Sequence, residues 1–246
     1  MRNGFRGVFV TGTDTEIGKT HVSTAMVAAA RRRGLRVGVM KPIAAGAEQT
    51  PLGLRNEDAL ALIAAARGNA TIKTPPGSVA ARLTAAEYAA VNPYCFAPPV
   101  SPHIAAGEAG VRPDLTHIAR LAAVHLSEND WLVVEGAGGW LAPITDELSV
   151  SDLALAIGLP VVVVVGMRLG CLNHAQLTIR EIGRSGLPFA GWVANQVDPT
   201  MARVDENVSM LTKRLGGPPL ARFAFGAESA ALAENGKALI DRLVDR

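Results

Sequence analysis

The segment Gly12-Thr13-Asp14-Thr15-Glu16-Ile17-Gly18-Lys19-Thr20 follows the apolar run Gly7-Val8-Phe9-Val10 and leads into an Ala-rich helical stretch. A strand, a glycine-containing turn and a helix in direct succession are the context that a phosphate-binding loop requires. Backbone N–H groups between Thr13 and Thr20 can converge on phosphate oxygens, and the helix opening near Gly18 adds the positive end of its dipole. Gly18 lets the backbone approach closely, Lys19 can reach the outer phosphates as a point charge, and the Thr20 hydroxyl is placed to ligate magnesium. The spacing departs from the standard pattern, because Thr13 stands where G-x-x-x-x-G-K-[ST] has its first glycine and Gly12 lies one residue earlier. The chain is therefore expected to bind a nucleotide through a variant loop.

Strand patterns recur at Val8 to Thr11, Arg36 to Met40, Trp131 to Glu135, Pro160 to Val165, Phe189 to Asn195 and Leu220 to Phe225. Helical patterns occupy Thr20 to Arg33, Leu115 to Leu126, Asn173 to Ser185, Val204 to Leu215 and a C-terminal stretch near Lys237 to Val244. This alternation predicts an α/β fold of the P-loop NTPase-like kind, a mainly parallel sheet with helices on both faces. With 246 residues, 49% of them hydrophobic, and no linker, the expectation is a single domain spanning 1–246. The stretch from Arg67 to Tyr88, with Thr74-Pro75-Pro76-Gly77 in its middle, shows no strand period and reads as a mobile excursion.

A net charge of +2 and an aromatic content of 4% leave no basic stripe with stacking platforms, which argues against nucleic acid as a partner. Arg31-Arg32-Arg33 sits at the end of the first helix, just before Gly34, where cations complement the helix dipole. Cys95 and Cys171 lack the paired spacing of a zinc site, and no secretory pattern opens the sequence, so a reducing, cytoplasmic setting is expected. The longest apolar run, Leu159 to Val165, is too short to span a bilayer and reads as a buried parallel strand.

In parallel sheets ligands collect at the carboxyl ends of the strands. Lys41, Glu135 and Asn195 close three of the predicted strands, so three polar groups would face one crevice. Magnesium on a triphosphate takes one or two carboxylates beside the loop hydroxyl, and Asp58 and Glu135 are the candidates. Glu135 ends an apolar strand and needs a compensating cation or hydrogen bond, whereas Asp58 could equally serve as a charge at a helix N-terminus. Lys41 would bring a second ammonium near Lys19, an arrangement suited to a highly anionic transition state; alternatively it is a solvated lysine before Pro42. The Gly136-Ala137-Gly138-Gly139 turn would let a ligand touch the backbone, or only reverse the chain. Gly170-Cys171-Leu172-Asn173 opens a helix whose N–H groups could hold a carboxylate or phosphate. His21, His103 and His174 have no partner constellation and receive no catalytic role.

Taken in order, the loop Gly12 to Thr20, Lys41-Pro42, Asn92-Pro93-Tyr94, Ser101-Pro102-His103, Val134-Glu135-Gly136-Ala137-Gly138-Gly139-Trp140, Gly166 to Ala175 and Ala194-Asn195 closely resemble the dethiobiotin synthetase family through nearly the whole chain. That resemblance implies an ATP-dependent ligase that joins CO2 to the vicinal diamine 7,8-diaminopelargonic acid and closes a cyclic urea. The route it implies runs through a carbamate and a carbamic-phosphoric anhydride, with no covalent enzyme intermediate. Residue by residue, it implies that Lys19 and Lys41 stabilise the carbamate and the transferring phosphoryl group. Thr15 would contact that region, and Thr20, Asp58 and Glu135 would hold Mg2+. The loop residues Thr13, Asp14, Glu16, Ile17 and Gly18 would bind ATP with Lys19 and Thr20, and Asn195 would read the adenine edge. Gly138 would lend backbone contact to the diamine, and Leu172 and Asn173 would receive its carboxylate across a homodimer interface.

The sequence departs from the family at Ala45, where relatives carry a Ser or Thr hydroxyl, and near Phe223 to Gly226, where the usual Ile-Pro is absent. A partitioning-type ATPase switch would share the fold, but its signature lysine would stand at Asp14. A dinucleotide-dependent oxidoreductase would need G-x-G-x-x-G after the first strand, which is missing. An amide-forming ligase with an acyl-phosphate intermediate would often carry a further amidotransferase domain, for which the chain has no room. A catalytically weakened binding protein is the reading that Ala45 prompts.

Overall fold

Every residue of Gly7–Gly12 is buried, and its side chains divide between two cores: Val8 and Val10 enter one and Phe9 the other. A strand buried on both faces needs helices above and below it, which is what the rest of the chain supplies. The computed structural model describes residues 4–68 and 83–245. In chain order these contain β1 (Gly7–Gly12), α1 (Lys19–Arg32), β2 (Val37–Met40), β3 (Ile43–Ala44), β4 (Glu48–Thr50), β5 (Gly53–Arg55), α2 (Glu57–Arg67), α3 (Ala85–Val91) and β6 (Tyr94–Cys95). There follow α4 (Pro102–Glu108), α5 (Leu115–Glu128), β7 (Trp131–Glu135), α6 (Val150–Ile157), β8 (Val161–Met167), α7 (Cys171–Ser185), β9 (Phe189–Gln196), α8 (Val204–Arg214), β10 (Arg222–Phe223) and α9 (Ser229–Val244).

The main sheet has the order β10-β9-β8-β1-β7-β2 with every pairing parallel. On one face Val22 and Met26 of α1, Leu62 of α2 and Leu239 and Leu243 of α9 cover Val8, Val10, Val133 and Val164. On the other, Ile118 of α5, Leu153 of α6, Ile182 of α7 and Leu211 of α8 cover Phe9, Leu132, Val134 and Val163. This is the α/β, helix-covered parallel architecture expected from the sequence, and Lys41, Glu135 and Asn195 lie at the carboxyl ends of β2, β7 and β9.

Several elements differ from expectation. The C-terminal helix begins at Ser229 rather than near Lys237, carrying Gly236 in its middle. A Cβ at Gly236 would stand 2.4 Å from the Ala25 carbonyl oxygen, so the glycine that weakens the helical pattern is what lets α9 close onto α1. The excursion from Arg67 to Tyr88 falls mainly outside the described residues, but its end is ordered: Thr84 and Glu87 form a capping box that starts α3. Ser149 and Asp152 do the same for α6, an unpredicted helix. Two small sheets, parallel β3–β6 and antiparallel β4–β5, also lie outside the sequence expectation. Among the described residues no helix is long and apolar enough to cross a membrane.

Candidate active site

The phosphate loop is built around one apolar side chain. Ile17 is fully enclosed; a Cβ at Gly12 would come within 2.6 Å of its Cδ1, and one at Gly166 within 2.5 Å of its Cγ2. The same Cβ at Gly12 would lie 3.2 Å from Lys19 Cδ. The position of the loop's first glycine thus has a steric reason: the space is needed beside residue 12, where Ile17 and the lysine stem pass, and Thr13 is not under that constraint. Glu16 and Gly18 both take left-handed backbone, with φ of 58° and 79°. Gly18 has no room for a Cβ, which would stand 2.2 Å from Asn195 Nδ2. That amide donates to the Ile17 carbonyl at 2.7 Å and fixes the loop from below.

The loop's amides are not all directed at one point, contrary to the expectation that the set begins at Thr13. The Thr13 N–H donates to the Val164 carbonyl at 3.0 Å, extending the sheet, and the Thr15 N–H donates to Asp14 Oδ1 at 2.8 Å. Asp14 also pairs with Arg168, which lies within the family-like segment Gly166 to Ala175 but to which sequence reasoning gave no role.

Behind the loop lies a polar cluster, buried at Lys41 and Glu135 and partly exposed at Asp58 and Thr20. Lys41 Nζ donates to Glu135 Oε1 at 2.6 Å and to Asp58 Oδ2 at 2.9 Å, while the Thr20 hydroxyl donates to the same Glu135 oxygen at 2.8 Å. Lys41 is only 5% exposed and Glu135 is fully enclosed. Burial acts to discharge Lys41, but the Glu135 and Asp58 carboxylates outweigh it and raise its pKa above the ordinary lysine value. Burial likewise acts against ionised Asp58, and Lys41 more than offsets that, leaving its carboxyl below the usual range. Lys41 is therefore neither a solvated lysine nor an isolated cation. Asp58 is more than a helix-end charge, although it does lie in the first turn of α2 behind the Asn56 cap.

Lys19 folds back so that its Nζ donates to the Asp14 carbonyl at 2.8 Å. Burial, and then repulsion from Lys41, lower its pKa to about 8. The two ammonium groups are thus electrostatic neighbours, as expected, with Glu135 and Asp58 holding part of the charge.

The residues expected to hold a magnesium ion converge: Thr20, Asp58 and Glu135 meet around Lys41. Glu135 Oε2 is buried and has no hydrogen-bond partner among the described residues, a deficit that a cation or its bound water would remove. The donor set of two carboxylates and a hydroxyl is hard oxygen chemistry, which fits Mg2+.

The remaining predicted residues separate into two places. Thr15 and Gly138 face each other across the crevice; Gly138 has φ 66°, and a Cβ there would be 3.5 Å from Thr15 Oγ1. Ala45 lies on the short connection after β3, its carbonyl accepting from Asn56 Nδ2 at 3.4 Å. Leu172 and Asn173 sit in the first turn of α7, where the Leu172 carbonyl accepts from Gln176 Nε2 at 2.9 Å. The helix start presents fewer open N–H groups than expected, since Cys171 donates to the Arg168 carbonyl at 3.0 Å and Asn173 to that of Gly170 at 3.1 Å. Beside them Leu169 is 95% exposed.

A family model described as an AAA domain matches residues 6–225. The chain is 47% identical over 227 residues to the ATP-dependent dethiobiotin synthetase BioD of Xanthomonas euvesicatoria pv. vesicatoria, covering 92% of this chain and 94% of the relative. It is 44% identical over 231 residues to ATP-dependent dethiobiotin synthetase BioD 1 of Escherichia coli, with 93% and 95% covered. Among solved structures, the septum site-determining protein MinD of Pyrococcus horikoshii with Mg-ADP superposes with a TM-score of 0.55 at 12% identity, covering 96% of this chain and 94% of that one. A ParA family ATPase from Chlorobium tepidum gives 0.54 at 13% identity, with 98% of both chains covered. At such identities the likeness is one of fold.

Proposed function

The chain belongs to the ATP-dependent dethiobiotin synthetase family, and from that premise we propose that it carboxylates 7,8-diaminopelargonic acid with CO2 and closes the cyclic urea of dethiobiotin, converting ATP to ADP and phosphate. The enzyme class is that of its relatives, an ATP-dependent ligase. The observation that carries the finer reading is the cluster set directly behind the phosphate loop, in which buried Lys41 and Glu135 meet the partly exposed Asp58 and Thr20, while the loop's own Lys19 is itself desolvated.

In this reading one amine of the diamine adds to CO2 and loses a proton, giving a carbamate. A carbamate oxygen then attacks the γ-phosphorus of ATP, the bond to ADP breaks, and a mixed anhydride forms. The second amine attacks the carbamoyl carbon, the carbon–oxygen bond to phosphate breaks, a proton is lost and the ring closes. Negative charge crowds together at the phosphoryl transfer, and Lys19 and Lys41 are the groups that meet it. Thr15 and Gly138, opposed across the crevice, hold the diamine against the loop so that its second amine is in place when the anhydride forms. Thr20, Asp58 and Glu135 would hold Mg2+, which when bound neutralises phosphate charge. The loop around Lys19 takes the phosphates, through amides other than the Thr13 N–H that the sheet uses. Asn195, with its Nδ2 engaged by the Ile17 carbonyl, would offer its carboxamide oxygen to the adenine amino group. Leu172 and Asn173, in the first turn of α7, serve the diamine carboxylate of a second copy. The exposed Leu169 beside them supports that homodimer. The 246 residues act as one ligase domain.

The test is release of phosphate from Mg-ATP in bicarbonate buffer, with and without the diamine, while the product is followed by mass. Stoichiometric, diamine-dependent phosphate and dethiobiotin are expected. Hydrolysis that ignores the diamine, with no cyclic urea formed, would overturn the substrate assignment.

A further inference from the structure

Tyr88 lies on α3 and is buried, yet its hydroxyl is the junction between the two supports of the reactive cluster. It accepts from the Asn56 N–H at 2.7 Å and donates to Asn92 Oδ1 at 2.9 Å. Asn56 is the N-cap of α2, its side chain accepting from the N–H groups of Asp58 at 3.1 Å and Ala59 at 3.3 Å. Asn92 ends α3, and its Nδ2 donates to the Lys41 carbonyl at 2.6 Å. The Lys41 N–H in turn donates to the Val91 carbonyl at 3.0 Å. One hydroxyl thus connects the backbone that carries Asp58 to the backbone that carries Lys41, the two partners of the 2.9 Å ion pair. The Arg55 guanidinium covers the Tyr88 ring at 4.2 Å from its centroid. Burial pushes the Tyr88 hydroxyl well above the usual tyrosine range, so it remains a donor throughout the working pH span.

We propose that Tyr88 is a positioning residue: through Asn56 and Asn92 its hydroxyl sets the separation of Asp58 and Lys41, and so holds the Lys41 ammonium in the place that phosphoryl transfer needs. The inference rests on the functional reading given above. Hydroxyls and amides in a closed network fix one geometry because each member leaves the others unsatisfied if it moves. A lysine on a flexible stem has no comparable means of fixing itself.

The test is Tyr88→Phe, which keeps the ring and its contact with Arg55 while removing the junction. The expected result is a roughly tenfold fall in kcat with KM for ATP within about twofold. Reaction of Lys41 with an amine-directed acylating reagent, read by mass spectrometry, should rise severalfold. The second measurement needs no turnover, so absence of diamine-dependent turnover in the unmodified enzyme would count against the functional reading while the labelling still decides the role of Tyr88. In the Lys41→Ala background the hydroxyl should matter little, with residual turnover within about twofold. Asn92→Asp, which keeps the acceptor for Tyr88 but removes the donor to Lys41, should reproduce the kcat loss and covers the case in which Tyr88→Phe does not fold. Unchanged kcat and unchanged labelling, or losses that simply multiply in the Lys41→Ala background, would overturn the proposal.

Discussion

Lys19 gives a prediction that can be worked from the structure to a number. Its ammonium is enclosed by the loop it serves and faces Lys41, and these two causes bring its pKa to about 8 against an ordinary value of 10.5. In the free protein about a tenth of the molecules carry a neutral Lys19 at pH 7, about half at pH 8 and about nine-tenths at pH 9. A bound nucleotide places several negative oxygens against this group and restores the proton. Binding of Mg-ADP should therefore take up about half a proton at pH 8 and nearly a whole one at pH 9. Isothermal titration calorimetry in buffers of different ionisation enthalpy measures this directly. Lys19→Arg, whose guanidinium stays charged, should bind with no uptake.

The stability of the free protein follows the same linkage with a defined sign. A lysine whose folded pKa lies below its unfolded value opposes folding while it is charged, at a cost of about 3 kcal/mol. Between about pH 8 and 10.5 the unfolded chain holds more protons than the folded one, so the contribution of Lys19 to stability rises with pH across that window. Saturating nucleotide should flatten the rise. Uptake below about a tenth of a proton at both pH 8 and pH 9, or the same uptake in Lys19→Arg, would refute the reasoning.

Two further substitutions probe the surroundings of the loop. Gly18→Ala combines a φ of 79° with a Cβ only 2.2 Å from Asn195 Nδ2 and should cost about 1–3 kcal/mol of stability, read by denaturant unfolding, together with most nucleotide affinity. An unchanged midpoint would mean that Asn195 does not brace the loop. Glu135→Gln leaves Lys41 buried with Asp58 as its remaining carboxylate partner and should cost about 3–5 kcal/mol. It should also raise the Mg2+ concentration for half-maximal turnover at least about tenfold, and a metal titration that superposes on the parent enzyme would remove Glu135 from the metal site.

Much of this site is legible in the chain because parallel strands impose their own order. Trp131 to Glu135 reads as an apolar strand that ends in a carboxylate, and burial on both faces makes that reading unambiguous. Once the strands are placed, Lys41, Glu135 and Asn195 must share an edge. The pairing within the edge is less visible. Periodicity gives no means of telling that Lys41 lies between Asp58 and Glu135, since Asp58 arrives on α2 through an intervening hairpin. The Thr13 amide is lost to the sheet for a similar reason: its partner, Val164, is far away in sequence. The capping boxes at Thr84 and Ser149 were present as local patterns, but α3 and α6, of 7 and 8 residues, are too short for a helical period to stand out. Tyr88 and Arg168 act through contacts that no local rule anticipates.

The enclosure of Ile17 by Gly12 and Gly166 has a consequence for how such a loop can change over generations. The three positions hold a fixed volume in common, two of them with none to give. A larger residue at 12 or 166 can be accepted only alongside a smaller one at 17, and at 12 the single change would also press on the Lys19 stem. Drift at these positions should therefore be correlated, and a homologue with alanine at either glycine should carry a shorter side chain in place of the isoleucine.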